Sequence, residues 1–376
     1  MLRKSLAVLI SFVVITISGN FVLADCPSAD LTGDCFVDFE DFAILANQWS
    51  IEYDWEDLAL ISNQWLTTDP CVPDDMVYIP DGEFEMGDHL DGMPDACDVH
   101  AVYLDSFFMS RYEITNQQYC DYLNSAILAG DIKVDLGVVY DFNDTNNSVP
   151  YCDTSTSYPY SQIDYSGCVF SVRTKDGTTD MSDHPMVNVC WFGSVAYCNW
   201  RSQQEGYEQC YDLSTWACDF TQKGYRLATE AEWEYATRGG EHSPYYRYPW
   251  GDSIDGSMAN YWESDDPFET GDIPWTTPVG YYDGDQIPAG GDMANGYGLY
   301  DMAGNVWEWC NDCYSSTYYS TSPINNPTGP SSGSYRVLRG GGWDGFDYFC
   351  RVDLRFNFRS SARASFFGFR VVLDLN

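Results

Sequence analysis

One turn-forming segment carries oxygen-bearing residues at a spacing that would suit a calcium ion. In "DMAGNVWE" the positions i, i+3, i+5 and i+7 are Asp301, Gly304, Val306 and Glu308. Carboxylates at the two ends and backbone carbonyls between them could supply many of the roughly six to eight oxygens that calcium takes. A polar turn between two buried tryptophans is the alternative interpretation, and the spacing alone does not separate the two.

A second set of oxygen ligands lies near the N-terminus, in "DLTGDCFVDFED". This spacing is typical of an EF-hand-like calcium loop, and residues 55–65 repeat the pattern of residues 39–49 at a period of 16. The repeat over 26–68 resembles a dockerin module, which implies bound calcium and a cohesin-like surface partner. Cys35 stands where such a loop has its turn glycine, and the second loop is short. The predicted loop ligands are Asp30, Thr32, Asp34, Asp38 and Asp41.

The first 24 residues have the pattern of a removed export signal. Arg3 and Lys4 precede an apolar run, and small residues end at Ala24. A membrane anchor is the alternative, but the run is short for a span and no other stretch is apolar enough. We therefore expect an exported chain, periplasmic, cell-surface or extracellular, with no membrane span after cleavage. Residues 69–75 are predicted to be a linker.

Composition narrows the range of partners. The chain has 57 acidic and 18 basic residues and a net charge of −39, which disfavours nucleic acid and anionic membranes. Fourteen cysteines in an exported chain indicate disulfides. The close spacing of Cys210 and Cys218 predicts a local bond between them.

Local patterns predict three helices and one hairpin. Thr115 with Gln118 and Thr229 with Glu232 have the spacing of capping boxes, and residues 194–204 form the third helical segment. "MVYIPDGEF" alternates in polarity and turns at Asp81, so it predicts a hairpin.

Eight segments in order resemble the formylglycine-generating-enzyme, or sulfatase-modifying-factor, domain family, over residues 76–374. The resemblance implies an α/β (α+β) domain with little regular secondary structure, related to C-type lectins, beside a small helical N-terminal module. The segments are "MVYIPDGEFEMGD", "EITNQQYCDYLN", "HPMVNVCWFGSVAYCNW", "GYRLATEAEWEYATRGG", "YPWGD", "NGYGLYDMAGNVWEW", "RVLRGG" and "GFRVV".

The resemblance also implies two calcium sites in this domain. One would use the side chains of Asp301 and Glu308 with the carbonyls of Met302, Gly304 and Val306. The other would use Asn260, the carbonyl of Tyr261 and Asp272.

The activity for which the family is named oxidises a sulfatase cysteine to formylglycine, with oxygen and a copper ion held by two cysteines. Here the second of these cysteines falls on Cys350 and the first on Gly345. The serine and tyrosine near them fall on Gly342 and Phe349. Because two soft thiolates are needed for such a copper site, copper is expected only if the oxidase reaction is retained. Sulfatases would then be the partners.

Two other functions stay open from the sequence: a non-catalytic, lectin-like ligand-binding module, or an adaptor docked through the N-terminal repeat. The family cleft would here be lined by Trp307, Trp343, Tyr348 and Arg351. Alternation in "RVDLRFNFR" predicts an arginine face that suits carboxylate or sulfate groups. Pairing of these arginines with the protein's own carboxylates is the alternative.

Overall fold

The structure is a computed structural model that describes residues 73–92, 96, 98–240 and 245–374. The predicted signal peptide, the predicted dockerin-like repeat with its five ligands, and residues 69–72 of the predicted linker lie outside the described residues.

Two four-stranded sheets organise the domain. The first has the order β1-β4-β19-β14, and the second has the order β17-β16-β15-β18, in which β15 and β18 run parallel. The first sheet comprises β1 (Met76–Ile79), β4 (Phe107–Ser110), β14 (Tyr225–Leu227) and β19 (Val371–Leu373). The second comprises β15 (Trp307–Cys313), β16 (Tyr335–Arg339), β17 (Phe356–Arg359) and β18 (Phe367–Gly368).

The domain also contains smaller antiparallel sheets, the largest of which has three strands among the described residues. They are β2 (Gly82–Met86) with β3 (His100–Leu104); β5 (Ile132–Asp135), β6 (Val138–Asp141) and β7 (Pro150–Asp153); β8 (Ile163–Ser166) with β9 (Val169–Val172); β10 (Thr174–Lys175) with β11 (Thr179–Asp180); and β12 (Tyr211–Asp212) with β13 (Ala217–Cys218).

All three predicted helices are present. They are α1 (Asn116–Ala129), α2 (Trp191–Glu205) and α3 (Glu230–Thr237). Both predicted capping boxes are formed, because Thr115 and Thr229 each accept from the backbone three residues on, while the side chains of Gln118 and Glu232 accept from the cap.

The predicted hairpin is wrong. β1 pairs with β4, with Met76 opposite Ser110, whereas β2 pairs with β3. The chain passes from one sheet to another at Asp81. Alternation and a turn signal identify the two strands, but the partner of each strand is decided by which pairing buries its apolar side chains.

Helix α3 is buried along its whole length, although it carries three glutamates. Buried carboxylates need partners, and each glutamate has an arginine. Glu230 accepts two bonds from Arg355, Glu232 two from Arg226, and Glu234 is bonded by Arg339 and Arg238. The core therefore contains several ion pairs between elements far apart in sequence.

The segment from 245 to 306 has no helix and no named strand, so the prediction of little regular secondary structure is confirmed. Side chains satisfy its backbone instead. Asn295 donates to the carbonyls of Ala236 and Thr237 and accepts from the amides of Tyr297 and Leu299. In the part of the chain that the structure describes, no helix is long and apolar enough to cross a membrane.

Candidate functional site

The turn at 301–308 packs tightly against a predicted residue of the other calcium set. Asp301 and Gly304 both have positive φ angles, 57° and 89°. A Cβ atom at 304 would overlap the carbonyl oxygen of Asn260, and Asn305 donates its backbone amide to the same carbonyl at 2.8 Å. The structure thus brings Asn260 and the turn together, and only glycine fits at position 304.

The acidic groups of this turn meet a third carboxylate that the sequence reasoning missed. Glu113 is buried and accepts from the side chain of Asn305 at 2.7 Å and from the amide of Val306 at 3.2 Å. Glu308 is also buried, and its two oxygens accept from Arg370 at 2.7 and 2.8 Å. One of them also accepts from the indole of Trp233 at 2.8 Å. Glu113 is the first residue of the family segment "EITNQQYCDYLN". Its place in that segment is the only feature of the sequence that points to a role for it.

Burial and mutual repulsion disfavour the ionised forms of the carboxylates at the turn. Burial raises the pKa of Glu113 well above its usual range, and the charges of Asp301 and Glu308 add to that rise. Burial also raises the pKa of Asp301 to about 6. Arg370 is the guanidinium that opposes these shifts, so three carboxylates share one positive charge. Carboxylate oxygens are donors of the kind that calcium takes.

Side chains alone would not complete that coordination. Among the described residues, no three Asp, Glu, His or Cys side chains are arranged to hold a metal ion, so the carbonyls of Met302, Gly304 and Val306 would have to contribute. In the other predicted set, Asn260 is buried and Asp272 is exposed. The amide of Asn260 donates to the carbonyl of Trp275 at 2.8 Å.

Cys350 lies in an apolar cluster rather than in an open site. It is fully buried beside Tyr248 and Ala303, with Trp250 and Tyr261 packed around them. Burial raises the pKa of its thiol well above the usual range, and the charge of Asp347 adds to this.

Position 345, where the family pattern has its other cysteine, is also closed. A Cβ atom on Gly345 would lie 3.0 Å from the ring of Phe349. The Phe349 ring in turn packs on Trp307, with ring centroids 5.8 Å apart. A Cβ atom at 345 would therefore require the Phe349 ring to shift slightly.

Most of the predicted cleft residues do not face solvent. Trp307 and Trp343 are each only 4% exposed. Arg351 is buried and forms ion pairs with Asp91 at 2.6 Å and Asp353 at 3.3 Å. All three side chains lie in the interior, where the indoles pack in the core and the guanidinium pairs with internal carboxylates. Their ligand-facing roles stay predictions.

Tyr348 is exposed and belongs to a surface that we call the aromatic rim, formed by Trp262, Phe346 and Tyr348. Their exposed fractions are 39%, 57% and 45%. The rings of Phe346 and Tyr348 stack with centroids 6.0 Å apart. The amide of Trp262 donates to the carbonyl of Gly345 at 2.7 Å, which places it beside the family's cysteine position.

The predicted arginine face on 351–359 is wrong. Residues 351–355 are all buried, and only Phe356–Arg359 forms a strand. Arg355 donates to Glu230 at 2.6 and 2.8 Å. The alternative, pairing with the protein's own carboxylates, is what the structure shows for Arg351 and Arg355.

Comparison with known proteins identifies the family. The sequence matches the sulfatase-modifying factor enzyme 1-like domain over residues 64–375. This chain belongs to the sulfatase-modifying-factor domain family. It is 31% identical to the formylglycine-generating enzyme of Streptomyces coelicolor over 315 residues, covering 79% of this chain and 88% of that enzyme.

Two further similarities extend the comparison. The serine/threonine-protein kinase pkn1 of Chlamydia caviae is 33% identical over 298 residues, which cover 79% of this chain but only 37% of that kinase. Among solved structures, Treponema denticola variable protein 1 superposes with a TM-score of 0.54 at 25% identity, covering 79% of this chain and 94% of that one. These similarities confirm the predicted fold of the sulfatase-modifying-factor family.

In this member of the family, the predicted disulfide is not formed. Cys210 and Cys218 are both free thiols, as is every other cysteine that the structure describes. β12 and β13 pair Tyr211 with Cys218, so Cys210 lies opposite Asp219. The two cysteines are therefore not a directly opposed pair in this hairpin.

Proposed function

We propose that this chain is an exported member of the sulfatase-modifying-factor family that does not oxidise cysteine and instead binds a ligand at its aromatic rim. The observation that carries the proposal is the environment of Cys350. A thiol without a second thiol beside it, in an apolar cluster that raises its pKa, is inert both as a copper ligand and as a nucleophile.

Copper does not fit the residues present. Linear Cu(I) coordination needs two thiolates, and the groups packed around Cys350 are aromatic and aliphatic. Cys310, on β15, belongs to a different core cluster with Trp233 and Leu299. We therefore derive no reaction step through copper.

The aromatic rim supports a binding role. Large aromatic side chains that stay exposed and adjacent on a folded surface commonly mark an interaction site. Asp347 is exposed between Phe346 and Tyr348, and the net charge of −39 disfavours anionic ligands.

A second candidate function is sulfatase maturation itself. It is favoured by the 31% identity to a formylglycine-generating enzyme over most of that enzyme's length. The two candidates differ in whether purified protein binds copper and turns over a cysteine peptide.

A copper titration separates them. We expect mature protein to bind no stoichiometric Cu(I) in competition with a chelator, and to convert no cysteine of a CxPxR peptide to formylglycine under oxygen. Cys350→Ser should behave as the wild type does, because Cys350 takes no part in any reaction. Stoichiometric copper with oxygen-dependent formylglycine formation, abolished by Cys350→Ser, would show that the protein is an oxidase.

Export rests on Arg3, Lys4 and the apolar run that follows them. We expect N-terminal sequencing of the native protein to begin near Asp25. A soluble cytosolic product that retains Met1 would contradict export.

Calcium is proposed as a structural ion at the 301–308 turn. Asp301 and Glu308 would hold it together with the turn carbonyls, and Glu113 would add negative charge nearby. The ion would neutralise carboxylates that Arg370 alone does not balance.

A further inference from the structure

Two neighbouring cavities lie on a face of the domain built from α1, α2 and the β5–β7 sheet. One has a volume of 220 Å³ and the other of 400 Å³. They share Asp141, Asn143 and Leu213, so the two cavities adjoin each other. We call the pair the tryptophan groove, after Trp200 in the first cavity and Trp216 in the second.

Aromatic rings, side-chain amides and carboxylates line the groove. Tyr122 and Tyr151 also line the first cavity, together with glutamines and asparagines. Asp131, Asp141 and Asp144 contribute carboxylates, while the described lining of both cavities contains no Lys, Arg or His. Anionic ligands are therefore excluded on charge, and ligands with many hydroxyl groups find both donors and acceptors.

One buried polar group in the groove lining has no protein partner. The indole N–H of Trp200 is buried and has no acceptor among the described residues. Gln203 and Gln209 are exposed and line the first cavity. A buried donor without an acceptor is unfavourable, so the Trp200 N–H in particular indicates a missing acceptor. The carboxylate of Asp141, in contrast, is held in place by the amide of Asn143 at 2.7 Å.

Trp216 is held in a strained backbone conformation. Its φ angle is 63°, which is rare for a bulky residue. Its ring packs on Phe192 with centroids 4.7 Å apart and meets Tyr151 edge-on at 6.3 Å. Strain of this kind persists where the surrounding structure fixes it, and it concentrates at binding sites.

We propose that the tryptophan groove binds a neutral oligosaccharide. The apolar face of a sugar ring can pack on an indole, while its hydroxyls bond to amide and carboxylate groups such as those of Gln203 and Asp141. The 400 Å³ cavity falls within the roughly 300–1,000 Å³ range of ligand pockets. The groove has no residue in common with the aromatic rim, so this inference does not depend on the proposed function.

The test uses an array of neutral glycans, followed by calorimetric titration of the best neutral trisaccharide into the full mature chain. We expect binding that Trp200→Ala weakens at least tenfold and Gln203→Ala weakens about two- to fivefold. Tyr335→Ala changes an exposed tyrosine outside both the groove and the aromatic rim, so it should leave the affinity unchanged. Tyr348→Ala reports whether the glycan binds at the rim. Melting temperatures of all four variants verify that each is folded.

Four outcomes would overturn the proposal. The array could show no neutral glycan bound, or trilysine could bind at the groove in place of any glycan. Affinity could be unchanged in both Trp200→Ala and Gln203→Ala. Loss of binding in Tyr348→Ala alone would assign the sugar to the aromatic rim instead.

Discussion

Arg339→Met is expected to lower the free energy of unfolding by about 3–5 kcal/mol, the range for breaking a buried ion pair by removing one partner. Arg339 is fully buried and donates to Glu234 at 2.6 Å and to the carbonyl of Val352 at 2.7 Å. Methionine fills much of the same volume but supplies no charge. Glu234 would then have Arg238 as its one remaining cationic partner. Water could not compensate for the lost partner, because the side chain of Glu234 is fully buried.

Urea unfolding measures the change, and the chain offers a control. Arg359 is exposed at the end of β17, so Arg359→Met should change the free energy of unfolding by less than about 0.5 kcal/mol. The double variant Arg339→Met with Glu234→Gln should recover part of the loss, because it removes the uncompensated carboxylate. Equal stability of Arg339→Met and Arg359→Met would mean that the ion pair makes no contribution.

The features that the sequence predicted well are local. A capping box depends on residues three apart, so Thr115 with Gln118 and Thr229 with Glu232 specify where α1 and α3 begin. The order of the eight family segments predicted the fold for a similar reason, since each segment can be recognised without knowing its neighbours in space.

The features that it missed depend on contacts between distant segments. Residues 351–355 alternate in polarity, yet all are buried, because Arg351 and Arg355 meet carboxylates from 88–91 and from α3. Glu113 joins the 301–308 turn across almost two hundred residues, and no local spacing indicates that. The sequence suggests Trp307 and Trp343 as binding residues. Their packing in the folded domain shows that both are internal.

We expect calcium to raise the melting temperature of the mature protein relative to chelator, and Asp301→Gly to remove most of that difference. A ligand that binds only the folded state adds about 2.7 kcal/mol at a hundredfold excess over its dissociation constant. Glycine is the right replacement, since Asp301 has a positive φ angle that alanine would adopt only under strain. The substitution thus removes the carboxylate without distorting the turn.

The stability lost by Asp301→Gly in chelator, compared with the loss in calcium, distinguishes a calcium ligand from an ordinary structural aspartate. Without calcium, Asp301 adds negative charge beside Glu113 and Glu308, although it also accepts from the amide of Gly280 at 2.6 Å. Asp301→Gly should therefore lose less stability in chelator than in calcium.

Asp265 provides the matched control, because it is an exposed aspartate with a φ angle of 63°, and Asp265→Gly should retain the full calcium response. Identical melting curves of the wild type in calcium and in chelator would refute the site. So would an equal loss of stability for Asp301→Gly under both conditions, because the carboxylate would then act only through the protein's own hydrogen bonds.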